Sequence, residues 1–74
     1  MPDSQVQVIQ IQLNGESRTV PAGLSVEGLL RELDIARDRV AVELNRQIVR
    51  QPQWSTTPVE AGAQVEIVQF VGGG

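Results

Sequence analysis

The amino-terminal part of the chain alternates between apolar and polar side chains. The apolar positions are Ile9, Ile11 and Leu13, and glutamines stand between them. This period of two is typical of a strand that is buried on one face. Val6 and Val8 fall in the opposite phase, so the strand either shifts its register or begins near Val8. We expect residues 1–8 to form a flexible extension.

Two dipeptides predict tight turns between strands. Asn14-Gly15 tolerates the positive φ angles of a two-residue hairpin, and it leads into a second predicted strand over residues 16–20. Asn45-Arg46 separates two further predicted strands, over residues 40–44 and 47–49. The pattern therefore predicts two β-hairpins, one at each of these dipeptides.

The segment between the two hairpins has the apolar spacing of a helix. Ser25 is a natural N-cap, and Glu27 places a negative charge in the first turn. The apolar positions with helical spacing are Val26, Leu29, Leu30 and Leu33. The helix should therefore have one apolar face and end near residues 34–36. Gly28 costs up to about 1 kcal/mol relative to alanine inside a helix, so it marks either close packing on the sheet or a tolerated glycine.

The remaining elements define the fold class. A polar segment around Trp54 and a turn at residues 60–62 precede the last predicted strand, which covers residues 64–71. The order β-β-α-β-β-β predicts an α+β domain over residues 9–71, in which one helix covers a mixed sheet of four to five strands. The best-known arrangement of this kind is the ubiquitin-like β-grasp fold. It places the first and last strands side by side at the centre of the sheet.

Charge and composition narrow the possible functions. The net charge is −3 and the six basic residues, all arginines, are scattered along the chain, which argues against nucleic-acid binding. The chain has no cysteine, histidine or tyrosine to serve as a nucleophile, a tunable base or a soft metal ligand. We therefore predict that it is not an enzyme and that it binds no metal or cofactor itself.

Hydropathy gives an expectation for location. The longest apolar runs are far too short to cross a bilayer. No basic amino-terminal segment leads into an apolar stretch of the kind found in signal peptides, and without cysteines there is no disulfide framework. We expect a cytoplasmic protein that makes no membrane contact.

The last predicted strand continues without a turn into Gly72, Gly73 and Gly74. Three extended residues reach at most about 10–11 Å. Without Cβ atoms they fit a narrow channel, where the carboxylate of Gly74 would reach another enzyme's active site. A free carboxylate is ionised and unreactive at neutral pH, so it needs activation, usually as a mixed anhydride with AMP. The alternative is an inert terminal tail.

Two segments carry a resemblance to a known family. Residues 40–49, VAVELNRQIV, followed by Arg50 and Trp54, resemble the central signature of the ThiS family, and residues 65–74 resemble its ending. The resemblance covers about residues 9–74. It implies that a ThiF-like adenylating enzyme uses ATP and Mg²⁺ to adenylate Gly74. Sulfur from a persulfide would then displace AMP and leave a thiocarboxylate, while Gly72 and Gly73 permit threading.

The resemblance also implies an acceptor for the sulfur. ThiS proteins pass it to the thiazole synthase ThiG, which builds the thiazole of thiamin. A glycine ending is shared with other proteins, so three alternatives stay open: a sulfur carrier for molybdopterin or another acceptor, a ubiquitin-like protein modifier, and a binding module with an inert tail.

Apolar residues near the glycines suggest a docking surface. Val68 and Phe70 have the opposite phase to Val65 and Ile67, so they should point away from the helix and form a candidate surface for partner docking. Alternatively, the twisted sheet or a loop covers them. Trp54 has two interpretations, because a single tryptophan in a loop either closes the edge of the core or contacts a partner.

Overall fold

A computed structural model describes residues 7–70 of the protein. Its elements are β1 (Val8–Leu13), β2 (Glu16–Pro21), α1 (Val26–Glu32), β3 (Val40–Leu44), β4 (Gln47–Val49) and β5 (Gln64–Gln69). Short 3-10 turns at Arg37–Arg39 and Gln51–Gln53 precede β3 and follow β4. The predicted order of strands and helix is confirmed. Of the predicted flexible extension over residues 1–8, only Gln7 and Val8 are described, and Val8 is the first residue of β1. The glycine tail lies entirely outside the described residues.

The five strands form one mixed sheet with the order β2-β1-β5-β3-β4. The first and last strands run parallel, with Gln12 opposite Gln64 and Leu13 opposite Val65. The other neighbouring pairs are antiparallel. The α+β, β-grasp prediction is therefore confirmed, including the adjacent first and last strands. As a result, β5 lies in the middle of the sheet and is held from both sides.

The last strand is shorter than the sequence predicts. It ends at Gln69, while the prediction extended it to Val71, which lies outside the described residues. The partner strand β3 explains this end, because its first residue, Val40, pairs with Gln69. The residues before Val40 form a 3-10 turn, and the N–H of Phe70 donates to the carbonyl of Arg39 in that turn at 2.8 Å.

Helix α1 begins and ends with recognisable caps. The Ser25 hydroxyl accepts a hydrogen bond from the N–H of Gly28 at 3.1 Å, which confirms the predicted N-cap. At the other end Asp34 has a φ of 58°. The Asp34 N–H donates to the Arg31 carbonyl, and the Ile35 N–H donates to the Leu30 carbonyl. These two bonds form a Schellman motif, in which glycine usually holds the left-handed position.

Replacing Asp34 by glycine is expected to stabilise the protein. Glycine adopts a positive φ without the steric penalty of a Cβ atom. Glycine also gives the unfolded chain more conformational freedom, which offsets part of this gain. The net effect of Asp34→Gly should be a rise of about 0.5–1 kcal/mol in the free energy of unfolding. Urea denaturation measures the change. Glu32→Gly, inside the helix, is the matched control and should lower stability by about as much; a loss for Asp34→Gly would contradict the strain argument.

The hydrophobic core lies between α1 and the sheet face that the helix covers. It contains Ile11, Leu13, Val20, Val26, Leu29, Leu30, Val40, Val42, Val49, Trp54, Val59, Ala63, Val65 and Ile67. Trp54 is 2% exposed, and its indole N–H donates to the Val49 carbonyl at 2.7 Å. This contact decides between the two interpretations of Trp54, which closes the edge of the core. A Cβ atom on Gly28 would come closest to the Leu24 side chain, at 3.2 Å, so the close approach there is to Leu24 and not to the sheet.

Candidate functional site

The strand that leads to the glycine tail is held differently on its two sides. On one side β3 pairs with β5 from Leu44 opposite Val65 to Val40 opposite Gln69. On the other side β1 ends at Leu13. Gly72, Gly73 and Gly74 lie outside the described residues, so their role in threading and in carrying sulfur stays a prediction. The structure describes the strand that presents them.

The two apolar residues predicted to face away from the helix are exposed. Val68 and Phe70 each expose 56% of their surface, whereas Val65 and Ile67 are buried. Both therefore lie on the open face of the sheet or just beyond it, close to the point where the chain continues towards the glycines. Their part in docking a partner stays a prediction.

The open face carries a third exposed apolar side chain that the sequence analysis did not identify. Ile48 in β4 is 73% exposed. It shares a shallow hollow with Val68, and Ala41 from β3 lies between them. We call Ile48, Val68 and Phe70 the apolar patch. The signal in the sequence was weak, because a strand of three residues is too short for its alternation to show which side chain points outward.

Two glutamates lie opposite each other beside the apolar patch. Glu43 in β3 pairs with Glu66 in β5, and Glu43 also pairs with Ile48 in β4. Like charges at directly opposed positions destabilise a sheet. Within residues 7–70, the two ion pairs are both made by Glu27, with Arg31 and Arg37, so Glu43 and Glu66 belong to neither. On the open face, Ile48, Glu43 and Glu66 therefore form one row across β4, β3 and β5, and Val68 lies one row nearer the tail.

The described residues offer little chemistry of their own. Between residues 7 and 70, no three side chains of the metal-binding types come together in a group that could hold a metal ion. No helix within that range has both the length and the apolar character needed to span a bilayer. What the arrangement provides is a central strand paired on both sides, an exposed face beside it and a carboxyl-terminal segment that follows.

Comparisons with known proteins agree on one family. The model of the ThiS family matches residues 11–74. The chain is 35% identical over 66 residues to the sulfur carrier protein ThiS of Escherichia coli, covering 89% of this chain and 100% of that protein. A crystal structure of the thiamine biosynthesis protein ThiS from Geobacter metallireducens superimposes with a TM-score of 0.76 at 35% identity, covering 89% of this chain and 100% of that one.

A larger relative is also similar. A thiazole synthase of Magnetococcus marinus is 39% identical over 66 residues, which is 89% of this chain. The chain spans only 20% of the length of that protein. A segment of this kind therefore occurs both as a separate small protein and within a chain that has the name of thiazole synthase.

Proposed function

The chain belongs to the ThiS family of sulfur carriers in thiamin biosynthesis, and we propose that it carries sulfur as a thiocarboxylate on Gly74. It is a carrier and not an enzyme. The observation that supports the proposal most strongly is the family match, which continues through residue 74 and so includes Gly72 and Gly73. The fold adds support, since the tail follows a strand held in the middle of the sheet.

The chemistry needs an activated carboxylate. A Gly74 oxygen attacks the α-phosphorus of ATP in the active site of a ThiF-like adenylating enzyme, and pyrophosphate leaves. The terminal sulfur of a persulfide then attacks the carbonyl carbon and AMP leaves. A thiol reduces the remaining S–S bond and releases the thiocarboxylate. Resemblance to the ThiS family assigns ATP and Mg²⁺ to the partner enzyme. The persulfide and the reducing thiol also come from other proteins or small thiols, because the carrier has no cysteine.

The apolar patch is the proposed docking surface for the adenylating enzyme. Val68 and Phe70 lie close to the start of the tail, and Ile48 extends the surface across the sheet. A carrier must bind at least two enzymes in turn, so a compact apolar patch with moderate affinity suits it better than a permanent interface. A basic side chain of the partner placed over Glu43 and Glu66 would also remove their mutual repulsion.

The proposed acceptor is a thiazole synthase of the ThiG type. The relative from Magnetococcus marinus supports this choice, because a similar segment there is part of a thiazole synthase chain. Carriers for molybdopterin and ubiquitin-like modifiers share the glycine ending, so the acceptor is the point at which the alternatives differ.

A pairing experiment tests the acceptor. The thiocarboxylate form of the carrier is mixed in parallel with thiazole synthase and with the large subunit of a molybdopterin synthase, each supplied with its own small-molecule substrates. It should lose its sulfur only in the first mixture. Thiazole formation and the return of the carrier to its unmodified mass provide the two readouts. Sulfur transfer to the molybdopterin enzyme, or covalent attachment of the carrier to lysines of other proteins, would contradict the assignment.

A further inference from the structure

The side chain of Asn14 continues the sheet where β1 has ended. Its Oδ1 accepts a hydrogen bond from the N–H of Ile67 at 2.8 Å, and its Nδ2 donates to the carbonyl of Ile67 at 3.3 Å. Asn14 and Ile67 are 53 residues apart in the sequence. One amide side chain thus satisfies both main-chain groups of a residue in β5.

The parallel pairing of β1 and β5 explains why a side chain is needed here. The N–H groups of Gln12 and Asn14 donate to the carbonyls of Ala63 and Val65. In a regular parallel ladder the next acceptor would be the carbonyl of residue 14 and the next donor the N–H of residue 16. The hairpin turn removes both, because Asn14 has a φ of 50° and Gly15 a φ of 84°. The carboxamide of Asn14 supplies an acceptor and a donor in their place.

The pairing lies near the carboxyl end of β5, the end that leads to the tail. Ile67 is buried, and six residues lie between it and Gly74 in the sequence. Beyond Ile67, the contacts that the structure describes come from the β3 side. They are the pairs that Val68 and Gln69 make with β3 and the bond from the Phe70 N–H to the Arg39 carbonyl. On the β1 side of β5, the bonds from Asn14 are therefore the ones nearest the carboxyl end among the described residues.

We propose that Asn14 is a positioning residue for the carrier terminus. Its amide fixes the register and direction of β5 next to Ile67, so that the following residues leave the sheet in one direction when the protein docks. The inference rests on the proposed role of Gly74. A reacting group held in the right place contributes strongly to rate, and small displacements reduce it. Loss of the amide should therefore lower the turnover of the docked complex more than it lowers docking itself.

A second asparagine provides a matched control. Asn45 begins the other hairpin turn with a φ of 51°, and its Oδ1 accepts a hydrogen bond from the N–H of Gln64 at 2.9 Å. It thus occupies the same turn position and also bonds the main chain of β5. Gln64 is the first residue of that strand, however, so this bond lies at the end farther from the tail.

The experiment compares Asn14→Gly with Asn45→Gly. Glycine keeps the positive φ of either turn and removes the side-chain bonds, and its added freedom in the unfolded chain is common to both variants. Amide hydrogen exchange of Ile67 and Gln69 is measured by NMR, and the adenylating enzyme is assayed by pyrophosphate release at varied carrier concentration. For Asn14→Gly we expect faster exchange at Ile67 and a kcat about fivefold lower, with KM within about twofold, as fits a loss of positioning. Asn45→Gly removes one exposed bond where Asn14→Gly removes two partly buried ones, so it should lose less stability, and it should keep its kcat.

Other outcomes distinguish a failure of the positioning role of Asn14 from a failure of the proposed role of Gly74. Equal kcat values for the wild type and Asn14→Gly, or equal losses in both variants, would overturn the positioning role. A wild-type protein that an active enzyme does not adenylate would overturn the proposed function, and this inference with it. Asn14→Asp serves if the glycine variant fails to fold, because aspartate tolerates the turn and keeps the acceptor, whereas its second oxygen would face the Ile67 carbonyl without a donor. It should show the same fall in kcat.

Discussion

Deleting Gly74 is expected to abolish sulfur transfer and to leave the fold intact. The deletion removes the carboxylate that would carry sulfur. The new terminus at Gly73 stops one residue short of the reacting position in the partner's active site. Fully extended chain covers at most about 3.3–3.6 Å per residue, so the reacting carbon would be displaced by roughly that distance. A displacement of even about 1 Å can cost a hundredfold in rate.

Stability should change little because the core ends earlier in the chain. Among residues 7–70, Ile67 is the core residue nearest the carboxyl end, and β5 ends at Gln69. We expect the free energy of unfolding to change by less than about 0.5 kcal/mol. Thermal melts and transfer assays on the same samples measure both effects.

A truncation at the other end is the control for the Gly74 deletion. The family match begins at residue 11, so a protein without residues 1–6 should retain full sulfur transfer. If the protein without Gly74 still supports thiazole formation, the chemistry lies elsewhere and the proposed function fails.

Phe70→Ala is expected to weaken binding to the adenylating enzyme by roughly 1–3 kcal/mol, which corresponds to a rise in Kd of about 5- to 150-fold. The reason is that an exposed aromatic side chain beside the tail becomes buried only in the complex. In the free protein Phe70 is 56% exposed. Its truncation should therefore reduce folding stability by less than it reduces binding. Titration calorimetry and a melting curve on the same variant give the two numbers.

Val8→Ala is the matched control for the docking surface. Val8 is 59% exposed and belongs to β1, whereas the apolar patch lies on β4, β5 and the residue that follows. Its truncation removes a similar exposed apolar side chain and should leave the affinity unchanged. Unchanged affinity for Phe70→Ala, or equal losses for both variants, would contradict the docking proposal. A stability loss of several kcal/mol would show that Phe70 packs as a core residue does.

The local elements of this fold can be predicted from the sequence because their signals are local. Alternation over Ile9 to Leu13 predicted β1, and Ser25 predicted the start of α1. Asn14-Gly15 and Asn45-Arg46 both take positive φ angles at the predicted turns. In each case neighbouring residues alone favour the structure that forms.

Features that depend on distant partners could not be predicted. The end of β5 is set by the first residue of β3, and the environment of Trp54 by its bond to Val49. The pairing of Asn14 with Ile67 joins residues that only the assembled sheet brings together. The phase of Val68 and Phe70 was predictable, while Ile48 became part of the surface only when β4 was placed beside β3.

The candidate site was predicted in a different way from the fold. Its carrying group was inferred from the glycine ending and from resemblance, and the family match includes those residues. Because a main-chain carboxylate needs no side chains around it within this protein, the arrangement of the described residues gives no direct sign of the chemistry. The geometry of reaction would belong to the partner enzymes.

Intact mass after incubation with the adenylating enzyme, ATP, Mg²⁺ and a sulfur source tests the central claim most directly. Exchange of one oxygen for sulfur should raise the mass by about 16 Da, at a carboxylate that is otherwise ionised and resists attack. Oxidation of Met1 or Trp54 adds nearly the same mass, so the sample is also treated with iodoacetamide. The chain has no cysteine, and the adduct should therefore form only on a thiocarboxylate.

The position of the adduct completes this measurement. Arg50 is the last basic residue, so trypsin releases residues 51–74 as one peptide. Fragmentation of this peptide should place the adduct on Gly74. An unchanged mass, or no adduct on that peptide, with an enzyme shown to be active on another carrier would contradict the central claim.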